Sequence, residues 1–218
     1  MAKPAWITVA PASGADNGTF KVSASAHTGR VARTGTVTVT NANGAKPSKT
    51  INVSQAAKAE FLSPTINEFV DVPATGGKVT ITGKSNTDIF RFGIMAFGGA
   101  PTLKLTINSV VQELSLITGN ANIGTYGCTV KNDVGAANEY AFSLEVTLPA
   151  NTTARRTQTS IGLSYISSGE TVVKGFDSKI YQAGAASTLA VNPASLSLVT
   201  AGTAQTVTVT SNDDWTVS

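Results

Sequence analysis

Seven stretches of this chain alternate apolar and polar side chains with a period of two. They are TGTVTVTN (34–41), KTINVSQ (49–55), GKVTITGK (77–84), LKLTIN (103–108), FSLEVTL (142–148), SIGLSYIS (160–167) and AQTVTVTSN (204–212). One face of each is Val, Ile or Leu; the other is largely Thr, Ser or Lys. Successive side chains of a strand point to opposite sides, so each stretch reads as a strand with one buried face. Turn signals separate them at GADNG (14–18), NANG (41–44), ATGG (74–77), SSGE (167–170) and TAG (200–202). The best helix candidate is INSVVQELSLI (107–117), but Val110-Val111 suits a strand equally well. Charged residues are only 13% of the chain; the regular alternation argues for a packed all-β protein rather than a disordered one. Many short strands with Gly-rich turns imply antiparallel β-sandwiches.

The strands repeat. INVSQAAKAEFLSP (51–64) resembles SKIYQAGAASTLAVNP (178–193): a strand ends at a Gln, small residues follow, and a new strand leads to a Pro. Gln55 and Gln182 are equivalent. ATGGKVTITGKSN (74–86) resembles TAGTAQTVTVTSN (200–212), and AHTGRVARTGTVTV (26–39) resembles ANTTARRTQTSIGL (150–163), matching Arg33-Thr34 with Arg156-Thr157. The repeat divides the chain into residues 1–58, the second half of a sandwich; 59–185, a complete sandwich; and 186–218, the first half of another.

The half-motifs L-x-V-x-P…G…VTVTSN-x-x-W-T-V-S and W-I-T-V-x-P-x-S-G…R-T-G-T-V-T-V…I-x-V-S-Q resemble the BACON family. The matching positions are Leu189, Val191, Pro193, Gly202, Ser211, Asn212 and Trp215 at one end, and Trp6, Pro11, Gly14, Arg33, Thr34 and Gln55 at the other. The resemblance implies tandem immunoglobulin-like sandwiches. Such modules occur in surface proteins and glycoside hydrolases of gut bacteria, and similar ones in crAss-like phages that infect them. The centre departs from the pattern: no Trp follows Ser85-Asn86, and residues 91–127 read as an enlarged centre.

Written end before beginning, SNDDWTVS and MAKPAWITVAPASG form one continuous family pattern, and the two end pieces sum to about 90 residues, an ordinary sandwich. Two readings follow. The end pieces complete each other between neighbouring subunits, head to tail, or the chain is cut from a longer tandem array. The first predicts a composite core containing Trp6, Val9, Trp215 and Val217.

The sequence suggests no reaction. His27, the sole histidine, lies in a turn-like stretch and reads as solvated. Cys128, the sole cysteine, reads as a small buried hydrophobe. SNDD (211–214) reads as a turn rather than a calcium loop, and no carboxylate pair stands out among 13 acids. No cofactor, no metal site and no enzymatic activity are expected. A net charge of +3 without a dense basic run speaks against nucleic acid, and no apolar run approaches the roughly 18–20 residues of a membrane span. Taken as a native start, Met1 without a signal peptide predicts assembly in a host cytoplasm. The function that fits is a structural component of a virion: capsid decoration, head fibre or collar. Its partners would be further copies of itself, head to tail, or another virion protein, with a host-surface glycan as a further candidate. The alternative is a carbohydrate-binding module of an exported bacterial surface protein or glycoside hydrolase, at the cell surface or secreted. Sugar platforms commonly use exposed aromatic rings, and IFRFGIMAF (89–97) is the candidate patch, although a buried strand is the better reading.

Overall fold

The computed structural model describes residues 2–65, 69–165, 176–198, 202 and 204–218. Among them the only helical element is a short 3-10 turn at Lys131–Asp133. Four strands come first: β1 (Ile7–Ala10), β2 (Lys21–Ala24), β3 (Arg33–Thr40) and β4 (Ser48–Gln55). Then come β5 (Leu62–Thr65), β6 (Phe69–Val72), β7 (Gly77–Ser85), β8 (Ile89–Ala96), β9 (Thr102–Ile107) and β10 (Val110–Gln112). These are followed by β11 (Ser115–Gly119), β12 (Ile123–Thr129), β13 (Tyr140–Leu148), β14 (Thr157–Tyr165) and β15 (Phe176–Gln182). The last two are β16 (Leu189–Asn192) and β17 (Thr208–Ser211).

Strands β5 to β15 build a two-sheet, immunoglobulin-like sandwich. One sheet runs β10-β9-β13-β7-β5 and the other β11-β12-β8-β14-β15-β6. All pairings are antiparallel except β15 with β6, which is parallel. The period-two pattern explains the packing. Phe90, Phe92, Ile94 and Ala96 alternate along β8, and Tyr140, Phe142, Leu144, Val146 and Leu148 along β13; none is more than 4% exposed. The stretch 89–97 is therefore a core strand, with only Met95 and Phe97 turned outward among its large apolar residues. Phe90 and Phe142 meet across the sandwich edge to face, 4.9 Å between centroids. Gly83 makes room for this contact, since a Cβ there would sit 2.6 Å from Cζ of Phe142. Of the 21 buried hydrophobic residues among those described, 19 lie in this unit; the others are Ile7 and Val37. Each buried Val, Leu, Ile or Phe among them contributes about 1.5–3 kcal/mol.

The ambiguous stretch 107–117 is not helical. Asn108 and Ser109 both take positive φ (44° and 67°) and turn β9 back into β10, the geometry of a tight hairpin. The enlarged centre adds β10 to the edge of one sheet and the β11–β12 hairpin to the other.

The ends form three separate two-stranded ladders: β1-β2, β3-β4 and β16-β17. The expected strand 204–212 is regular only over Thr208–Ser211, for β17 has a partner on one side alone. The expected strand 160–167 is described as far as Tyr165; residues 166–167, the turn at 167–170 and most of that at 200–202 lie outside the described residues.

Candidate assembly surfaces

Two polar junctions fasten the end ladders to the sandwich, and they are built alike. At the first, the buried Asn86 follows β7. Its amide nitrogen donates to the carbonyls of Thr28 and Ala59 (both 3.2 Å), and its Oδ1 accepts from the N–H of Phe61 (2.9 Å). At the second, Asn212 follows β17. Its nitrogen donates to the carbonyls of Thr152 (3.2 Å) and Ala186 (2.8 Å), and its Oδ1 accepts from Thr188 N–H (2.8 Å). The backbone repeats the arrangement: Lys58 N–H donates to Gly29 O (2.9 Å) and Ala185 N–H to Thr153 O (2.7 Å). A Cβ on Gly29 would collide with the carbonyl of Ala136, and one on Gly184 with that of Ala154. Both glycines therefore let main chain approach main chain.

The first junction carries an added ionic hub that sequence reading missed. Arg30 reaches Glu60 (3.5 Å), Asp88 (3.3 Å) and Asp133, while the N–H groups of Arg30 and Val31 donate to the carbonyls of Gly135 and Ala136 (3.0 Å each). The hydrogen bond from Arg30 to Asp133 raises the guanidinium's pKa, outweighing burial, with the other two carboxylates adding to it. Nearby, Glu139 accepts from Lys84 (2.7 Å) and Lys58 (3.5 Å). The Lys84 bond, and then Lys58, hold its carboxyl below the ordinary range. No motif announces this hub, because its four charges come from four separate stretches of chain.

The junctions lie at opposite poles. Asn86 follows the last residue of β7, whereas Asn151, whose N–H donates to Ala74 O, sits beyond the end of β13 beside the first residue of β7. A nine-residue strand separates the poles by about 30 Å.

Within the sandwich every inner strand has two neighbours: β13 lies between β9 and β7, and β14 between β8 and β15. Among the described residues of the chain, β2 pairs only with β1, and β3 only with β4. The registers show the kinship. Arg33 lies opposite Gln55 as Thr157 lies opposite Gln182. Gln55 donates to Ser25 O (2.9 Å) as Gln182 donates to Pro149 O (2.7 Å). Leu189 lies opposite Ser211 as Leu62 lies opposite Ser85. The ladder matches Arg33 with Thr157 and so shifts the expected Arg33–Arg156 match by one residue: register follows the paired glutamine, not the like side chain. By pairing and chain order, β1, β2, β3 and β4 correspond to β9, β13, β14 and β15, and β16 and β17 to β5 and β7.

The residues expected in a composite core fall into two pairs. Trp6 is half-buried beside Gly35, with the Arg33 guanidinium 4.6 Å over its ring, and Val9 is half-buried on β1. Trp215 and Val217, at the far pole, are 52% and 83% exposed. A single chain does not bring the two pairs together.

His27 corrects an expectation. It is half-buried, not solvated: its Nε2 lies 2.7 Å from Val31 O, and its Nδ1 is enclosed without a hydrogen-bond partner. The cause is the docking of loop 25–31 on the sandwich pole. Cys128 is half-buried on β12, and burial pushes its thiol up to about 11 against the opposing pull of Lys131. In SNDD, Ser211 Oγ accepts from Asp213 N–H (3.0 Å), a turn bond, while Asp214 pairs with Arg155. Among the described residues no group of three His, Cys, Asp or Glu is placed to hold a metal ion, and no helix is long and apolar enough to cross a membrane. A groove of about 220 Å³ bordered by Thr65, Val70, Lys78 and Ser178 falls short of the ~300–1,000 Å³ of ordinary ligand pockets.

Residues 1–56 match the family model of BACON, described as a putative binding domain, N-terminal. The matched segment is the one that carries β1 to β4. No curated protein matches the chain. Among solved structures, the chain is similar to the collagen-binding domain of a Staphylococcus aureus adhesin, with 12% identity, 59% of this chain and 100% of that one covered, and a TM-score of 0.33. It is also similar to BcpA, the major pilin subunit of Bacillus cereus, with 8% identity, 98% and 69% covered, and a TM-score of 0.36. At these values the similarity says nothing of ligand or assembly, and the fold assignment rests on the strand pairing itself.

Proposed function

We propose that this chain is a non-enzymatic structural protein of a virion, a head fibre, collar or capsid decoration, that works by linking immunoglobulin-like domains into a stiff array. The observation that carries the reading is the duplicated junction. Asn86 and Asn212 close the two linkers with equivalent hydrogen bonds, so successive units are held at a fixed pitch rather than on flexible tethers. The interior of the sandwich is given over to packing. Its buried polar residues, such as Ser85, Thr87 and Tyr140, are satisfied by one another (Ser85 Oγ to Thr87 Oγ1 3.1 Å, Thr87 Oγ1 to Tyr140 Oη 3.0 Å). Assembly in the host cytoplasm follows from this reading.

The test is location. Antibody raised against the chain should decorate purified virions of a phage whose genome encodes it. Labelling of a bacterial surface instead would favour the second reading, a carbohydrate-binding module of an exported protein. That reading has one observation in its favour: Phe97, 62% exposed at the end of β8, is an aromatic ring on a complete sandwich and could stack on a sugar. Glycan-array binding abolished by Phe97→Ala would support it.

A further inference from the structure

Among the described residues, the N-terminal segment has three strand edges without a ladder partner. In the complete sandwich β13 takes β7 on its second edge, β14 takes β8, and β15 takes β6 in parallel. In the N-terminal segment their counterparts β2, β3 and β4 each have one neighbour. Among the described residues, the C-terminal segment holds counterparts of the neighbours β7, β8 and β6. β17 stands for β7. Residues 195–198 follow β16 as β6 follows β5, and place Leu196 and Leu198 where the sandwich has Val70 and Val72. Residues 214–218 follow Asn212 as β8 follows Asn86, and offer Trp215 and Val217, which by count from the asparagine fall at Ile89 and Arg91, one residue from Phe90 and Phe92.

Exposure agrees with these assignments. Val72 is 6% exposed and Leu198 65%; Trp215 and Val217, the apolar residues of the segment after Asn212, are 52% and 83% exposed, while the core residues Phe90 and Phe92 of β8 are 1% and 0%. On the receiving side Val22, Val39 and Ile51 are 39%, 45% and 41% exposed. Both sets are apolar and uncovered. Neither 195–198 nor 214–218 is a strand in the single chain, which is what a segment lacking its ladder partner would do. One bond marks the gap directly. Gln182 donates to Pro149 O and also approaches Ala74 O (3.4 Å), across the two halves of the sandwich. Gln55 has the first bond and no counterpart of the second among the described residues.

We infer that the occupant is a second copy of this chain: residues 186–218 of one molecule complete residues 1–57 of the next. A molecule cannot close on itself. Its two incomplete segments are fastened to opposite poles, about 30 Å apart, by junctions that would have to break. Each added copy ends in the same open segment, so the contact is heterologous and propagates. Three ladders form at once, and main-chain bonds are made along each new edge. Because the completed domain inherits both junctions, the product is a line or ring in which sandwiches alternate between one-chain and two-chain construction. The inference rests on the structural reading above but stands apart from it in test, since virion labelling reports location and the experiment here reports pairing.

The experiment uses two full-length variants. Val39→Asp places a charge on the receiving face, and Trp215→Asp on the donating face. The unaltered chain should form concentration-dependent oligomers, by sedimentation or light scattering. Each variant alone should be monomeric. An equimolar mixture should stop at a heterodimer, because one good receiver meets one good donor and both remaining ends are blocked. A heterodimer also shows that each variant retains a folded, competent opposite end. An unaltered chain that stays monomeric at high concentration would overturn the inference and point to completion by further sequence. So would oligomers formed by either variant alone, or a mixture that remains monomeric.

Discussion

The central sandwich and the two end segments are built from one motif, yet they differ in what holds them. In the centre, apolar alternation on β8 and β13 finds an opposing sheet, and every one of those side chains is buried. At the ends the same alternation is fully covered only at Ile7 and Val37, and Val39, Leu189, Leu198 and Val217 remain in solvent. The end segments keep their form through polar devices: the Arg33–Gln55 bond (2.9 Å), the Asn212 cap and the Arg30 hub. Pattern alone makes a ladder; only a second face makes a domain. A hydrogen bond contributes about 1 kcal/mol net, whereas a buried large side chain contributes two or three times that. The ends are therefore ordered but unfinished.

The sharpest way to break this comparison is to truncate a ring in each region. Phe142→Ala should lower the unfolding free energy by about 3–5 kcal/mol, read by denaturant melts and independent of protein concentration. Trp215→Ala should leave the dilute monomer within about 0.5 kcal/mol of the parent, as an exposed substitution does. In sedimentation it should weaken association by about 3–5 kcal/mol, two to three orders of magnitude or more. An equal loss of monomer stability from both changes would mean that the end segment already has a core.

Next in size are the junctions. Asn86→Ala strands the Phe61 N–H and the Thr28 carbonyl at a buried site and should cost about 1–3 kcal/mol, with faster proteolysis in the 56–60 linker. Asn212→Ala, at a half-buried site, should cost less than half as much in the dilute chain. Equal costs would show that the two junctions bear equal load before assembly.

Smaller still is the Glu139 bridge. Its pKa is lowered, so its contribution is present above the ordinary carboxylate range and fades as pH falls through the folded value. The urea midpoints of the parent and Glu139→Gln should differ at pH 7 and converge in acid; a gap that is independent of pH would place the effect in packing. The smallest expected change concerns Cys128. With its thiol pushed up to about 11, labelling by iodoacetamide at pH 8 should run about two orders of magnitude slower than for a free thiol. Removing the end segments' completion by dilution should leave that rate unchanged, because β12 belongs wholly to the central sandwich.

The strands at 34–41, 77–84 and 142–148 were legible because half-burial writes a period of two into the residues; the structure moves their ends by only one or two positions. The repeat was legible for the same reason, and Ser85-Asn86 and Ser211-Asn212 were visible as a matched pair although their role was not. That role depends on carbonyls of Thr28 and Thr152, distant in sequence. The stretch 107–117 misled because its apolar residues belong to three strands, β9, β10 and β11, with a positive-φ turn at Asn108-Ser109 between the first two. Strand 204–212 is shorter than the alternation suggests, since alternation reports what a segment can pair with, and among the described residues β17 has a neighbour on one side alone. The Arg30 hub and the enclosure of His27 were not legible, being products of docking rather than of local pattern.

Hydrogen exchange on the full-length chain, followed as a function of protein concentration, tests completion between subunits most directly. Amides in β13 and β14 should be protected at every concentration. Amides of 195–198, 206–210 and 214–218, with those of β2 and β3, should exchange fast in the dilute chain and gain protection together, along one binding curve, as concentration rises. Protection of these segments that does not change with concentration, or that appears at one end without the other, would contradict completion between subunits.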